Sequence, residues 1–423
     1  MQISEELLDY IDNLWIVDTH EHIQMNEEDR PAEADVLQEY LQHYINCDLL
    51  SAGLSAKDCA RATDPALDIE QRFALLAPYW GYVRHGGYAK SLELSVQGLY
   101  GIPAISQSTI GELQNRFQRA WNGNHYQYVL KEKSRIAMSI VNSNLNCDRR
   151  FFRSVFSLDS FVHIKTRRDI QTEEEIFGKR ISCLNDWLDA CELKMERSLA
   201  QGAVALKSGL AYTRSLLFER SALPDAKAVF DRYFDTKFFP RSQEAPFYSD
   251  KKLEDYVMHH ILNLANKKGL VVEIHTGLQE GVGNYINNSD PVLLTNLFLQ
   301  YPDIRFDIFH MGYPFEKTLG VLAKNFRNVF INLCWVHMIS PMAGINAMRE
   351  YLDIVPINKI SAFGGDYLFV DGVYGHQRMA RDNVCRALSI KMEEGAFGLA
   401  EAKEIARLWF VENPKTLYGL HDL

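Results

Sequence analysis

The chain has 423 residues, 47 % hydrophobic and 24 % charged, with a formal net charge of −10. That composition is globular, and the length exceeds the roughly 250 residues of a barrel core, leaving room for a cap or large insertions. The acidic balance argues against a nucleic-acid or anionic-membrane partner, which would need a basic surface; an anionic small substrate stays open, because a metal and a few arginines can dominate a local field.

In chain order, MQISEELLDYIDNLW predicts an amphipathic helix, since Glu5, Glu6, Asp9 and Asp12 replace the cationic start of a signal peptide. Eight short apolar runs then end in polar residues: WIVDTHEH (15–22), RIAMSIVN (135–142), SFVHIK (160–165), VALKSG (204–209), LVVEIHTG (270–277), RFDIFHMG (305–312), VFINLCW (329–335) and ISAFGGD (360–366). Their length and Val/Ile content predict buried parallel strands. Stretches between them, such as KLEDYVMHHILNLANKKG and AGINAMREYLDIV, show helical spacing, and Asp290-Pro291 reads as a helix start. Eight alternating units predict a (β/α)8 TIM barrel of the α/β class.

About 110 residues separate the first two runs, far more than an ordinary βα connection. The expected organisation is a barrel domain from 1–22 and 135–423, with a large helical insertion over 23–134. That insertion follows the first strand, which places it on the active-site face as a candidate cap, with Arg84 and His85 in its aromatic-rich middle. The irregular stretch 221–250 is expected as a second loop there. The seven scattered cysteines form no CxxC pair, so neither a disulfide framework nor a zinc knuckle is expected. No apolar run approaches the roughly 20 residues of a bilayer span. A cytoplasmic enzyme is expected, with homo-oligomerisation open.

Strand side chains alternate, so Asp18, His20 and His22 share a face. Two histidines spaced by two can reach one ion. His275, His310 and Asp366 each end a later run, and metal-ligand residue types converging on one rim read as a site rather than as packing.

DTHEH, the histidines ending the fifth and sixth strands, GGD in the eighth and the closing NPKTLYGL resemble the amidohydrolase superfamily, most closely its single-metal branch. The insertion and GLAYTR (209–214) resemble uronate-isomerase-like members. The resemblance implies one divalent metal ion, Zn2+ by ligand chemistry, bound by His20, His22, His275 and Asp366. It implies Asp366 as proton shuttle and His310 as the group that polarises a substrate oxygen. Asp18 and Glu273 are candidates to orient the imidazoles, with backbone hydrogen bonding as the alternative. Lys207 stands where binuclear members carry a carboxylated lysine; with Arg214 and Tyr212 it is instead read as binding a substrate carboxylate, as is Arg84. The expected activity is hydrolysis of an amide, ester or lactone in a small carboxylate-bearing substrate through a metal-activated water. Nonoxidative decarboxylation and sugar-acid isomerisation remain the alternatives. A barrel that only binds ligand is disfavoured by the intact ligand set.

Overall fold

The computed structural model describes residues 4–30, 35–121, 123–142, 146–234 and 250–421. Its strands are β1 (Ile16–Glu21), β2 (Ile136–Asn142), β3 (Phe152–Ser157), β4 (Ala205–Ser208), β5 (Val271–Ile274), β6 (Arg305–Ile308), β7 (Val329–Asn332) and β8 (Ile360–Ser361). They form one sheet in sequential order with parallel pairing. Thr19 N–H donates to the Phe363 carbonyl at 3.0 Å, and Asp366 N–H donates to the His20 carbonyl at 2.8 Å. β1 therefore meets the segment after β8, and with helices, among the described residues, after every strand but β2 the fold is a (β/α)8 barrel. Every residue of β1, β4, β5 and β8 is buried, as expected of parallel strands covered on both faces.

The chain divides into two compact units, one of Met1–Arg153, Leu278–Asn284 and Ile331–Leu423, the other of Ser154–Gly277 and Tyr285–Phe330. In the first, Ser4 caps the helix Glu5–Asp12 by accepting from Leu7 N–H, and Leu7 and Ile11 are buried. Among the described residues, 23–134 supply six α-helices, among them Val36–Tyr40, Ile45–Ser51, Ile69–Val83 and Gly87–Tyr100, and a π-helical turn, Gln127–Lys133. They are fastened through Asp371 on the helix Val370–Glu393, a fully buried carboxylate bonded to Tyr40 Oη (2.9 Å), Tyr100 Oη (2.7 Å) and His125 Nε2 (2.6 Å). Satisfying a buried charge this fully is what makes its burial tolerable.

In the second unit, Asp250 and the left-handed Gly269 (φ +66°) bracket the helix Lys251–Lys268. Asp290 accepts from Val292 N–H at 2.9 Å and opens the turn that leads into the helix Thr295–Gln300. Two expectations are corrected here. The third strand is Phe152–Ser157, not 160–165, where Asp159–Val162 is a helical turn. Asp159 ends the strand: its N–H donates to Ser157 Oγ (3.1 Å) and its carboxylate accepts from Gly209 N–H (2.6 Å). Flanking arginines (RRFFRSVFS) hid the true strand. The stretch 221–250 begins with a helix, Leu223–Arg232, and its part 235–249 lies outside the described residues. Among the described residues no helix is long and apolar enough to cross a membrane.

Candidate metal centre

At the end of β1, His20 Nε2 and His22 Nε2 lie 3.1 Å apart with their rings perpendicular. Asp366 Oδ1 is 3.4 Å from the first and 3.3 Å from the second. A tetrahedral zinc with bonds of about 2.0–2.1 Å spaces its ligands roughly 3.3–3.4 Å apart. Two imidazole nitrogens and a carboxylate oxygen at this spacing therefore fit one face of such a site. His20 is buried and the His22 side chain is 32 % exposed, so the cluster has a closed and an open side.

The strand-eight motif explains how Asp366 gets there. Its backbone is left-handed (φ +58°), a strained conformation for a non-glycine residue. Its N–H is held by the His20 carbonyl, and its own carbonyl accepts from Tyr44 Oη. Gly365 leaves room for Glu21: a Cβ there would lie 1.7 Å from Glu21 Oε1, so that carboxylate would have to move. Asp18 accepts from Ser139 Oγ (2.8 Å), Gly365 N–H (3.1 Å) and His20 N–H (3.3 Å). It thus organises backbone, the second of the two roles open to it. Burial pushes its carboxyl up to about 6 against those hydrogen bonds, and burial beside Asp18 drives Glu21 well above the carboxylate range.

One neighbour was not singled out in the sequence. His43, from the insertion, stacks on Tyr44 with ring centroids 3.7 Å apart. Burial lowers its pKa to about 4, with Asp366 opposing and His22 reinforcing the shift; it is a neutral imidazole within electrostatic reach of both ligands. A lone histidine between helices carries no periodic signal that would have marked it.

The second unit holds the remaining sequence candidates apart from Arg84. His275 Nδ1 and His310 Nε2 are 2.9 Å apart, and the Tyr212 ring lies 4.6 Å from that of His275. His310 is itself left-handed (φ +62°). Lys207 is in register with Glu273, and Glu273 with Asp307, across β4, β5 and β6. The Lys207 ammonium lies over the Phe309 ring, 3.5 Å from its centroid. Arg214 is occupied differently from its expected role: its buried guanidinium pairs with Glu254 (2.8 Å) and Asp255 (2.7 Å). In the first unit, Arg84 is exposed at the end of the helix Ile69–Val83, where its charge acts on Glu93. Among the described residues nothing ties it to the His20 cluster.

Known proteins extend this picture. The family described as Amidohydrolase matches residues 193–420, just over half of the chain. Protein fluG of Emericella nidulans is 26 % identical over 225 residues, which are 52 % of this chain and 26 % of that protein. The chain thus spans about a quarter of the length of this curated relative. Among solved structures, a uronate isomerase from Thermotoga maritima aligns with a TM-score of 0.78 at 15 % identity, covering 98 % of this chain and 96 % of the other. A glucuronate isomerase from Caulobacter crescentus gives 0.76 at 17 % identity, covering 98 % and 93 %. A protein from Lactobacillus casei described as a metal-dependent hydrolase gives 0.69 at 14 %, covering 100 % and 99 %. At such identities these structures speak for the fold alone. The match over residues 193–420, joined to this barrel and its histidine–aspartate cluster, makes the chain a member of the amidohydrolase family of metal-dependent enzymes.

Proposed function

We propose that the chain is a metal-dependent hydrolase acting on an amide, ester or lactone bond of a small carboxylate-bearing substrate. The observation that carries this reading is the triangle of His20 Nε2, His22 Nε2 and Asp366 Oδ1, with sides of 3.1–3.4 Å. These residues would hold one zinc ion, with His275 as the further ligand that the resemblance assigns. When bound, the ion supplies Lewis acidity and hydroxide near neutral pH. Asp366 takes the proton of the attacking water on its carboxylate and returns it to the leaving nitrogen or oxygen. His310 donates a hydrogen bond to the substrate oxygen as negative charge develops there. Lys207, seated over Phe309 and acting electrostatically on Asp159, is read as an uncarboxylated ammonium that meets the substrate carboxylate. Seven free thiols suit a reducing compartment, the cytoplasm.

A second reading, isomerisation of a sugar acid, is favoured by one observation: the likeness to uronate isomerases covers 98 % of the chain, insertion included. A metal-replete screen over lactones, N-acyl amino acids, aromatic acids and uronates, read by mass, tests both. Gain of one water supports hydrolysis; unchanged mass with a new product supports the isomerase, and loss of carbon dioxide overturns both. Elemental analysis after preparation with bicarbonate and excess zinc should find one metal per chain. Two, falling to one in Lys207→Ala, would overturn the reading of Lys207.

A further inference from the structure

The unit that carries His20, His22 and Asp366 also holds a half-open cavity of about 670 Å³, within the range of small-molecule sites. Its aromatic wall is the half-buried Tyr88, stacked on the buried Tyr44 at 5.1 Å and 17°, which in turn stacks on the buried Trp335 at 4.8 Å and 20°. Its acidic wall is Asp48, on the helix Ile45–Ser51, and Glu280, on the segment after β5. No lysine, arginine or histidine lines it. Cys47 adds no charge: burial, with Glu280 beside it, pushes its thiol up to about 12, and it donates to Glu280 Oε1 at 3.4 Å. Burial also raises the Asp48 carboxyl, so this acid sits where solvent stabilises its charge poorly.

The cavity wall is bonded to the metal-site loop. Tyr44 Oη donates to the Asp366 carbonyl, and Trp335 N–H donates to the Gly364 carbonyl at 3.0 Å. The ring stack behind the cavity is thus one hydrogen bond removed from the strand-eight turn, through the Tyr44 side chain and the Trp335 main chain.

We propose that this cavity is the subsite for a cationic, ammonium-bearing end of the substrate. The Tyr88 ring face carries negative quadrupole potential and attracts a cation. The two carboxylates in the lining, Asp48 and Glu280, add direct attraction, and an ammonium supplies three donors to them. A second carboxylate would meet two like charges and the negative ring faces, which discriminates against dicarboxylates. A neutral hydroxyl would gain hydrogen bonds only. The inference rests on the proposed hydrolytic reading, since it names the remote end of that substrate.

The test is calorimetric titration of zinc-replete protein with three chain-matched probes: ε-aminocaproate, its ω-hydroxy analogue and adipate. The amine should bind at least about tenfold more tightly than the hydroxy compound, and adipate most weakly. In Asp48→Asn the preference for the amine should shrink to within about threefold, with zinc content unchanged; Glu280→Gln should act in the same direction. Equal or tighter binding of the hydroxy compound or adipate to the wild-type protein, or no measurable amine binding, overturns the proposal, whether or not the variants fold. An amine preference that depends on Asp48, beside a screen without hydrolysis products, would sink the hydrolytic reading and leave the subsite standing. A hydrolysed substrate with a neutral or anionic remote end would sink the subsite alone.

Discussion

The strand-borne metal cluster and the helix-borne cavity belong to the same compact unit, yet they are held by different forces. His20 and Asp366 are placed by backbone: β1 and the strand-eight turn exchange main-chain hydrogen bonds, and Asp18 binds three groups around them. Tyr44, Tyr88 and Trp335 are placed largely by ring stacking, and Asp48 by a helix of seven residues. Backbone placement gives a fixed triangle of donor atoms suited to an ion, whose geometry tolerates little error. Stacking gives a wall that accepts a range of shapes. Chemistry on the strands with selection on the inserted helices and the loops after β5 and β7 is a division that lets specificity change without disturbing the reacting groups.

The largest effect should come from the strands. His20→Ala with His22→Ala removes two of the three converging donors and should reduce zinc to less than about a tenth of one per chain, while far-ultraviolet circular dichroism stays that of the parent. Full zinc content in the folded double variant would break the assignment of the cluster. Asp366→Asn keeps the shape and both histidines but loses the base. Part of the zinc should remain while turnover falls by roughly 10²–10⁴. Near-normal turnover would take Asp366 out of proton transfer.

An intermediate effect concerns the backbone behind the cluster. His337 is fully buried, and its Nε2 meets the Ala362 carbonyl at 2.7 Å, so that nitrogen carries the hydrogen. Burial lowers its pKa to about 4. The unfolded chain takes up this proton at about pH 6.5 and the folded chain only near pH 4, so the stability it confers is present above pH 6.5 and lost as pH falls through that window. The full loss is on the order of 3 kcal/mol. Asp18, with its raised pKa, acts with the opposite sign, so the useful quantity is a difference. Denaturant midpoints of the parent and of His337→Gln, measured between pH 7 and 4.5, should converge as the pH falls. Parallel curves would show that His337 does not carry the dependence.

What could be read in advance follows the same division. β1 and β5 were visible because buried parallel strands are continuous apolar runs, and His20, His22, His275, His310 and Asp366 because each stands where such a run stops. β3 was misplaced because arginines interrupt it and the following SFVHIK imitates a strand. Arg214 looked like an anion clamp because the acids it meets, Glu254 and Asp255, lie 40 and 41 residues away. The cavity left no trace, since Tyr44, Tyr88 and Trp335 come together only through tertiary folding. His43 was hidden for the same reason.

The smallest expected effect tests the side-chain hydrogen bond that joins the two regions. Tyr44 Oη donates to the carbonyl of Asp366, whose left-handed backbone needs outside support. Tyr44→Phe keeps the ring and its stacking and removes only the donor. Leaving that buried carbonyl short of a partner should lower stability by about 1 kcal/mol. If the bond also holds the Asp366 carboxylate on His20 and His22, zinc affinity should drop a fewfold, with amine binding in the cavity nearly unchanged. Lost stability with unaltered zinc affinity would make the two regions neighbours that share a wall and nothing more. A change in both would show that the inserted helices help to set the geometry of the metal site as well as to line the cavity.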